Sequence, residues 1–243
     1  HLAALHRVTE GRSKVQSPWG ETITALPTVT SSLYRFNFHD KGERGAEPSA
    51  GHTLVLGRTG SGKTMAFMLP ILEKMRKLGR FRRRAAQLPL KLVLVPTREL
   101  ALQVGGEYEK LRNLPGEFRT VAAYAGDDID LQAQRLAAGA EIVVGTPGRL
   151  LDLLDGGLLG LEALRVLVLD ELDEMLRLGF LLHIERIVCC AKDACRRANR
   201  SADQLQYLLF SATVSARVKR ICTSLLSEQF LLIDLVRQKD VQT

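Results

Sequence analysis

The sequence predicts an α/β fold, a three-layer sandwich in which a mainly parallel central sheet is flanked by helices. Three observations predict it. From Thr53 onward, short apolar runs of strand length alternate with amphipathic segments of helical period. The runs are continuously apolar, the pattern of strands covered on both faces. A glycine-containing loop, Gly57 to Gly62, joins the first run to the first helical segment.

Taken in order, residues 1 to about 50 form an N-terminal flank with little periodicity. Gln16-Ser17-Pro18-Trp19-Gly20 reads as a loop, and Asp40 to Ser49 as a charged surface loop. Residues 51–243 carry the rhythm. Strands are expected at Thr53 to Leu56, Lys91 to Val95, Thr120 to Tyr124, Glu141 to Val144, Val166 to Leu169, Tyr207 to Phe210 and Phe230 to Asp234. After the first strand, Met65 to Leu72 carries a helical apolar face that Pro70 should kink. Helices are then expected at Glu99 to Leu111, Ile129 to Ala138, Leu150 to Leu154, Leu182 to Cys190 and Val214 to Leu225. Gly139 and Gly156-Gly157 read as helix C-caps. In such folds ligands bind beyond the carboxyl ends of the strands.

Composition narrows the class. The 243 residues are 46% hydrophobic and carry a formal charge of +7, which permits a polyanionic partner. No apolar run is long enough to span a membrane, so no membrane association is expected. Cys189, Cys190, Cys195 and Cys222 lack C-x-x-C spacing and a histidine pair, so buried, reduced thiols are expected rather than a zinc site. Arg80 to Arg84 is a strongly basic connection, either solvated or in contact with phosphates.

Two stretches carry chemistry. Gly57-Arg58-Thr59-Gly60-Ser61-Gly62-Lys63-Thr64 fits G-x-x-x-x-G-K-[ST] between a strand and a helix. Backbone N–H groups can surround a polyphosphate only where no Cβ intrudes, hence the glycines. Lys63 adds a point charge for the terminal phosphates, and the Thr64 hydroxyl can ligate Mg2+. Opposite this loop, an apolar strand ends in Asp170-Glu171-Leu172-Asp173. There Asp170 would hold the metal, and Glu171 would orient and deprotonate an attacking water. Catalysis would then rest on Lys63, Asp170 and Glu171, with a nucleoside triphosphate and Mg2+ bound; the resemblance below implies that the nucleotide is ATP.

Six segments occur in a telling order: the phosphate loop, Pro96-Thr97-Arg98-Glu99-Leu100, Gln132-x-x-Arg135, Thr146-Pro147-Gly148-Arg149, Asp170-Glu171-Leu172-Asp173 and Ser211-Ala212-Thr213. Over roughly residues 50 to 243 the chain resembles the first, RecA-like core domain of DEAD-box RNA helicases. With D-E-L-D as its box it looks most like the nucleolar Gu-type subgroup. The resemblance implies an ATP-dependent RNA helicase represented by its ATP-binding domain. Arg58 to Thr64 would bind the nucleotide. Pro96, Thr97, Arg98, Gly126, Gln132, Arg135 and Thr146 to Arg149 would lie along RNA. Asp173 would hydrogen-bond Ser211 and Thr213, linking the two sites. A nuclear or nucleolar location is favoured, with the mitochondrion as the alternative intracellular compartment.

Three departures from the family pattern bear on this. The adenine-reading glutamine, aligned from Ile23 to Leu26, falls near Thr30 or Ser31, so the base should be poorly selected. The usual Gly-Gly is Ala125-Gly126. No His-Arg-x-Gly-Arg segment of a second core domain is read in these residues, so the arginine that completes the ATP site is expected from elsewhere. A helicase-like scaffold with little turnover is the alternative reading.

Overall fold

Two short strands, β1 (Thr24–Pro27) and β2 (Leu33–Phe36), pair antiparallel in a sheet of their own. The remaining elements build one large sheet and its helices: β3 (Thr53–Leu56), β4 (Lys91–Leu94), α1 (Arg98–Lys110), β5 (Thr120–Ala123), α2 (Ile129–Ala137), β6 (Ile142–Gly145), α3 (Pro147–Asp155), β7 (Val166–Leu169), α4 (Leu172–Arg177), α5 (Leu181–Arg197), β8 (Gln206–Ser211), α6 (Ala216–Leu225) and β9 (Leu231–Asp234). The computed structural model describes residues 88–110, 118–201 and 205–225 with their side chains, and β1, β2, β3 and β9 by their backbone.

The strand order is β5-β6-β4-β7-β8-β3-β9, and every pairing is parallel. Burial follows from that order. Every residue of β4, β6, β7 and β8 is buried, whereas β5 alternates half-buried with buried, as an edge strand does. One face of the sheet, with Leu92, Leu94, Val143, Leu167, Leu169 and Leu209, joins the main apolar cluster under α2, α3, α5 and α6. The residues between them, such as Val93, Val144, Val168 and Phe210, are also fully buried or nearly so, and so are Ala101, Val104 and Tyr108 of α1. Both faces are therefore covered, which gives the three expected layers.

Helix ends show why the chain turns where it does. The Thr97 side chain accepts from the Leu100 N–H at the start of α1, and the Asp128 carboxylate accepts from the N–H groups of Asp130 and Leu131 at the start of α2. Pro147 opens α3 three residues earlier than the apolar pattern predicts, because proline suits the first helical position. Gly139 and Gly157 follow their helices with φ of 95° and 67°, as C-cap geometry requires. Two expectations are corrected. A separate helix, α4, follows the Asp170 strand, and α5 continues to Arg197 well beyond Cys190. Cys195 and Cys222 are buried as expected, but Cys189 is exposed; all four thiols are free. Among the described residues, no helix is long and apolar enough to cross a membrane.

Candidate functional site

Because the strands run parallel, the segments that follow β4, β5, β6, β7 and β8 emerge along one edge of the sheet. The phosphate-loop residues Arg58, Thr59, Gly60, Ser61, Gly62, Lys63 and Thr64 lie outside the described residues, as do Thr30, Ser31 and Arg80 to Arg84. The other predicted site residues fall into two groups.

The first group stands at the ends of β7 and β8. The Asp170 N–H donates to the Leu94 carbonyl, which holds this residue beside β4. Asp170 as a whole is only 2% exposed, and its Oδ1 accepts from the Glu171 N–H at 3.0 Å. Glu171 then takes φ 52°, ψ 49°, a left-handed conformation that costs a residue with a Cβ about 1–2 kcal/mol. Such strain collects at functional sites, where the surroundings hold a side chain in a set direction. Near them the Tyr108 hydroxyl is buried without a hydrogen-bond partner among the described residues. Burial, and then the Asp170 carboxylate, push the phenol far above its usual range, so it stays neutral. A buried carboxylate of this kind suits a hard cation such as Mg2+, which is held by one or two carboxylates together with phosphates.

Asp173, the second residue of α4, reaches across to the turn after β8. Its Oδ2 accepts from Thr213 Oγ1 at 2.9 Å, and its Oδ1 from the Ala212 N–H at 3.4 Å. The predicted bond to Ser211 is absent. Ser211 ends β8 fully buried, and its hydroxyl donates to the Thr213 carbonyl at 2.8 Å. The turn after β8 is thus tied to the acidic strand by Thr213 and a backbone amide.

The second group lies beyond β4, β5 and β6. Arg98 is exposed, sits 4.9 Å from the centre of the Tyr124 ring and donates to the Gly126 carbonyl at 3.4 Å. Gly126 has φ 86°, and a Cβ there would come within 3.2 Å of the Arg98 guanidinium. Tyr124 was not a candidate in the sequence; an aromatic residue directly before Ala125-Gly126 is the signal that could have flagged it. Gln132 is fully buried: its Nε2 donates to the Tyr124 carbonyl and its Oε1 accepts from Arg149 Nη1, both at 3.0 Å. Arg149 Nη1 and Nη2 also donate to the Asp127 carbonyl at 3.1 Å. The Arg149 side chain is only 10% exposed. Gln132 and Arg149 therefore lie behind the surface and fix the loop of residues 125–127, while Arg135 stays exposed. The Asp128 N–H, with help from Gln132 and Tyr124, holds the Asp127 carboxyl below its usual range.

Pro96 is buried, and Thr97 spends its hydroxyl on capping α1. Thr146 precedes α3 without capping it, so the first N–H groups of that helix have no side-chain acceptor from it. At Gly148 a Cβ would meet nothing within 4 Å, so packing within the chain does not require glycine. At Gly145 it does, since a Cβ would come within 2.5 Å of the Ala123 carbonyl and 2.9 Å of Leu150.

A parallel sheet with a buried acid at one strand end and a cluster of loops beside it is an arrangement in which α/β proteins bind ligands. The chain belongs to the DEAD/DEAH box helicase family, whose model matches residues 46–221. It is 40% identical over 188 residues to DEAD-box ATP-dependent RNA helicase 7 of Spinacia oleracea, covering 76% of this chain and 26% of that protein. It is 38% identical over 188 residues to Nucleolar RNA helicase 2 of Rattus norvegicus, covering 76% and 23%. Among solved structures, the yeast DEAD-box splicing factor Prp28 superposes with a TM-score of 0.67 at 30% identity, covering 75% of this chain and 42% of that one. A DEAD box protein from Methanococcus jannaschii gives 0.63 at 33% identity, covering 76% and 45%. The chain thus spans about a quarter of the length of the curated relatives it matches.

Proposed function

We propose that residues 51–243 are the ATP-binding, first RecA-like domain of an ATP-dependent RNA helicase, with residues 1–50 as a flank that selects the base poorly. The observation that carries this reading is the link from Asp173 to Ala212 and Thr213, two residues from half-buried Glu171 and three from buried Asp170. It gives the acid site a mechanical connection to the neighbouring turn.

In this reading Lys63 and the N–H groups of residues 58–64 hold the phosphates. Mg2+, held by Asp170 and Thr64, supplies charge neutralisation at the phosphate oxygens. Glu171 orients a water and accepts its proton as the water oxygen bonds to the γ-phosphorus and ADP leaves. Arg98, Arg135, Gly126 and the start of α3 meet an RNA strand through its phosphates, with Gln132 and Arg149 positioning them. Helix-start amides and arginines grip phosphates without reading bases. The favoured site of action is the nucleus or nucleolus.

Charge developing on the transferred group still needs an arginine, worth about 10^3–10^5 in rate in phosphate-loop enzymes. A second helicase domain of the same protein would bring it. The test compares the 243-residue chain alone with the chain joined to such a domain. The chain alone should bind Mg-ADP, hydrolyse ATP negligibly and leave an RNA duplex intact; the joined form should gain RNA-stimulated turnover and lose it with Glu171→Gln. Turnover by the joined form within about threefold after Glu171→Gln refutes the assignment of the base.

A further inference from the structure

We infer that the free edge of β5 is a docking site for an extended, acidic peptide segment of a partner protein, which binds there as an added strand. Among the described residues β5 pairs with β6 alone. The Arg119 and Ala123 carbonyls accept from Ile142 and Thr146 on the β6 side. By the two-residue period of a strand, the N–H and C=O of Thr120 and Ala122 therefore point the other way, out of the sheet.

That edge is not closed over by its flanking helices. A groove of about 430 Å³ runs along it between α1 and α2, from Arg119 at one end to Tyr124 at the other. Its α1 wall includes Leu102, 45% exposed, and Glu109; its α2 wall includes Arg135 and Gly139. Gly106 lies on the same stripe of α1, four residues after Leu102 and three before Glu109. Glycine weakens a helix interior, yet a Cβ at Gly106 would meet nothing within 4 Å. No contact among the described residues accounts for it, whereas a close-lying second backbone would. The Thr120 hydroxyl adds a buried polar atom without a hydrogen-bond partner among the described residues, beside the same edge.

The chemistry of the occupant follows from the groups presented. An edge offers donors and acceptors alternately, and a peptide backbone matches both. A nucleic-acid backbone presents acceptors to the Thr120 and Ala122 carbonyls and leaves them unmatched. The described lining carries two exposed cations, Arg119 and Arg135, and one carboxylate, Glu109; the Arg119 guanidinium also donates to the Ala138 carbonyl. The complement is therefore acidic, with apolar residues alternating toward Leu102.

The test displays peptides of about eight residues, alternating valine with randomised positions, as separate acidic, neutral and basic libraries against the 243-residue chain. Acidic sequences should enrich. The best of them should protect the Thr120 and Ala122 amides from hydrogen exchange. It should bind at least about tenfold more weakly when its alternate amides are N-methylated, and likewise to Gly106→Trp, a change on an open helix face. Mg-ADP affinity should be unchanged in Gly106→Trp. Failure of all three libraries to yield a binder at this edge overturns the proposal, as does enrichment of basic or neutral sequences alone. Protection of the same amides by a single-stranded RNA overturns it in favour of nucleic acid. Protection that grows with chain concentration without peptide overturns it in favour of a second copy of this chain.

Discussion

Gln132→Leu separates the positioning role of this glutamine from a direct grip on RNA. Leucine has similar volume, so the substitution leaves little cavity and mainly deletes two buried hydrogen bonds, to the Tyr124 carbonyl and from Arg149. A neutral buried bond contributes about 0.5–1.5 kcal/mol and one to a charged group about 1.5–3 kcal/mol. Arg149 keeps its bonds to the Asp127 carbonyl, so the lower part of the combined range applies, about 2–3 kcal/mol. For a chain of this size that lowers Tm by about 4–12 °C, readable by thermal and urea melting. RNA affinity should fall at every salt concentration because residues 125–127 lose their support. The slope of log affinity against log salt should stay as it was, since no charge is removed. A variant as stable as the wild type to within about 0.5 kcal/mol that still loses RNA affinity would refute the reasoning and return Gln132 to the RNA surface.

Three other outcomes follow from the geometry. Glu171→Gly relieves the left-handed backbone and should raise stability by up to about 1 kcal/mol while abolishing turnover in the two-domain protein; a less stable variant in urea would show that the strain is not there. Thr213→Val removes the bond to Asp173, so in the two-domain protein RNA unwinding should drop about tenfold or more with ATP turnover changed much less; parallel losses would break the coupling argument. Burial pushes the Cys222 thiol up to about 11. At pH 8 exposed Cys189 should therefore alkylate readily and Cys222 very slowly, and the folded-state preference for the protonated thiol makes its contribution full below pH 9 and lost as pH rises toward 11. Equal labelling of both in the native chain would contradict that burial.

Legibility in the sequence tracked how local the cause is. The seven strands of the large sheet fell within one or two residues of expectation because burial on both faces leaves continuous apolar runs. Their order across the sheet is set by long-range pairing and left no mark. The extension of α5 was missed at Cys190 although Ala191, Ala194 and Cys195 continue its buried face, because small residues carry a weak periodic signal. Helix α4 hid inside the acidic box, where Leu172, Met175 and Leu176 are too few to show a period. The hairpin of β1 and β2 lacks the turn residues that announce one. In the site, residue types were legible and roles were not. Arginine and glutamine at Arg149 and Gln132 suggest surface contact, and only the fold turns them inward.

The position of β3 in the sheet has a consequence during synthesis. Thr53 pairs with Leu208 on one side and Leu231 on the other, while β4, β5, β6 and β7 pair among themselves between residues 91 and 169. The strand that leads into the glycine loop emerges from the ribosome early and waits for both neighbours. At about 5–20 residues per second, the stretch from Thr53 to Leu208 takes roughly 8–30 s to translate. During that interval β3 has no partner in the sheet, and closing loops of this length is slow. A nucleotide held by that loop, as proposed above, would therefore act only after β3 has paired with β8, with β9 still to add against β3.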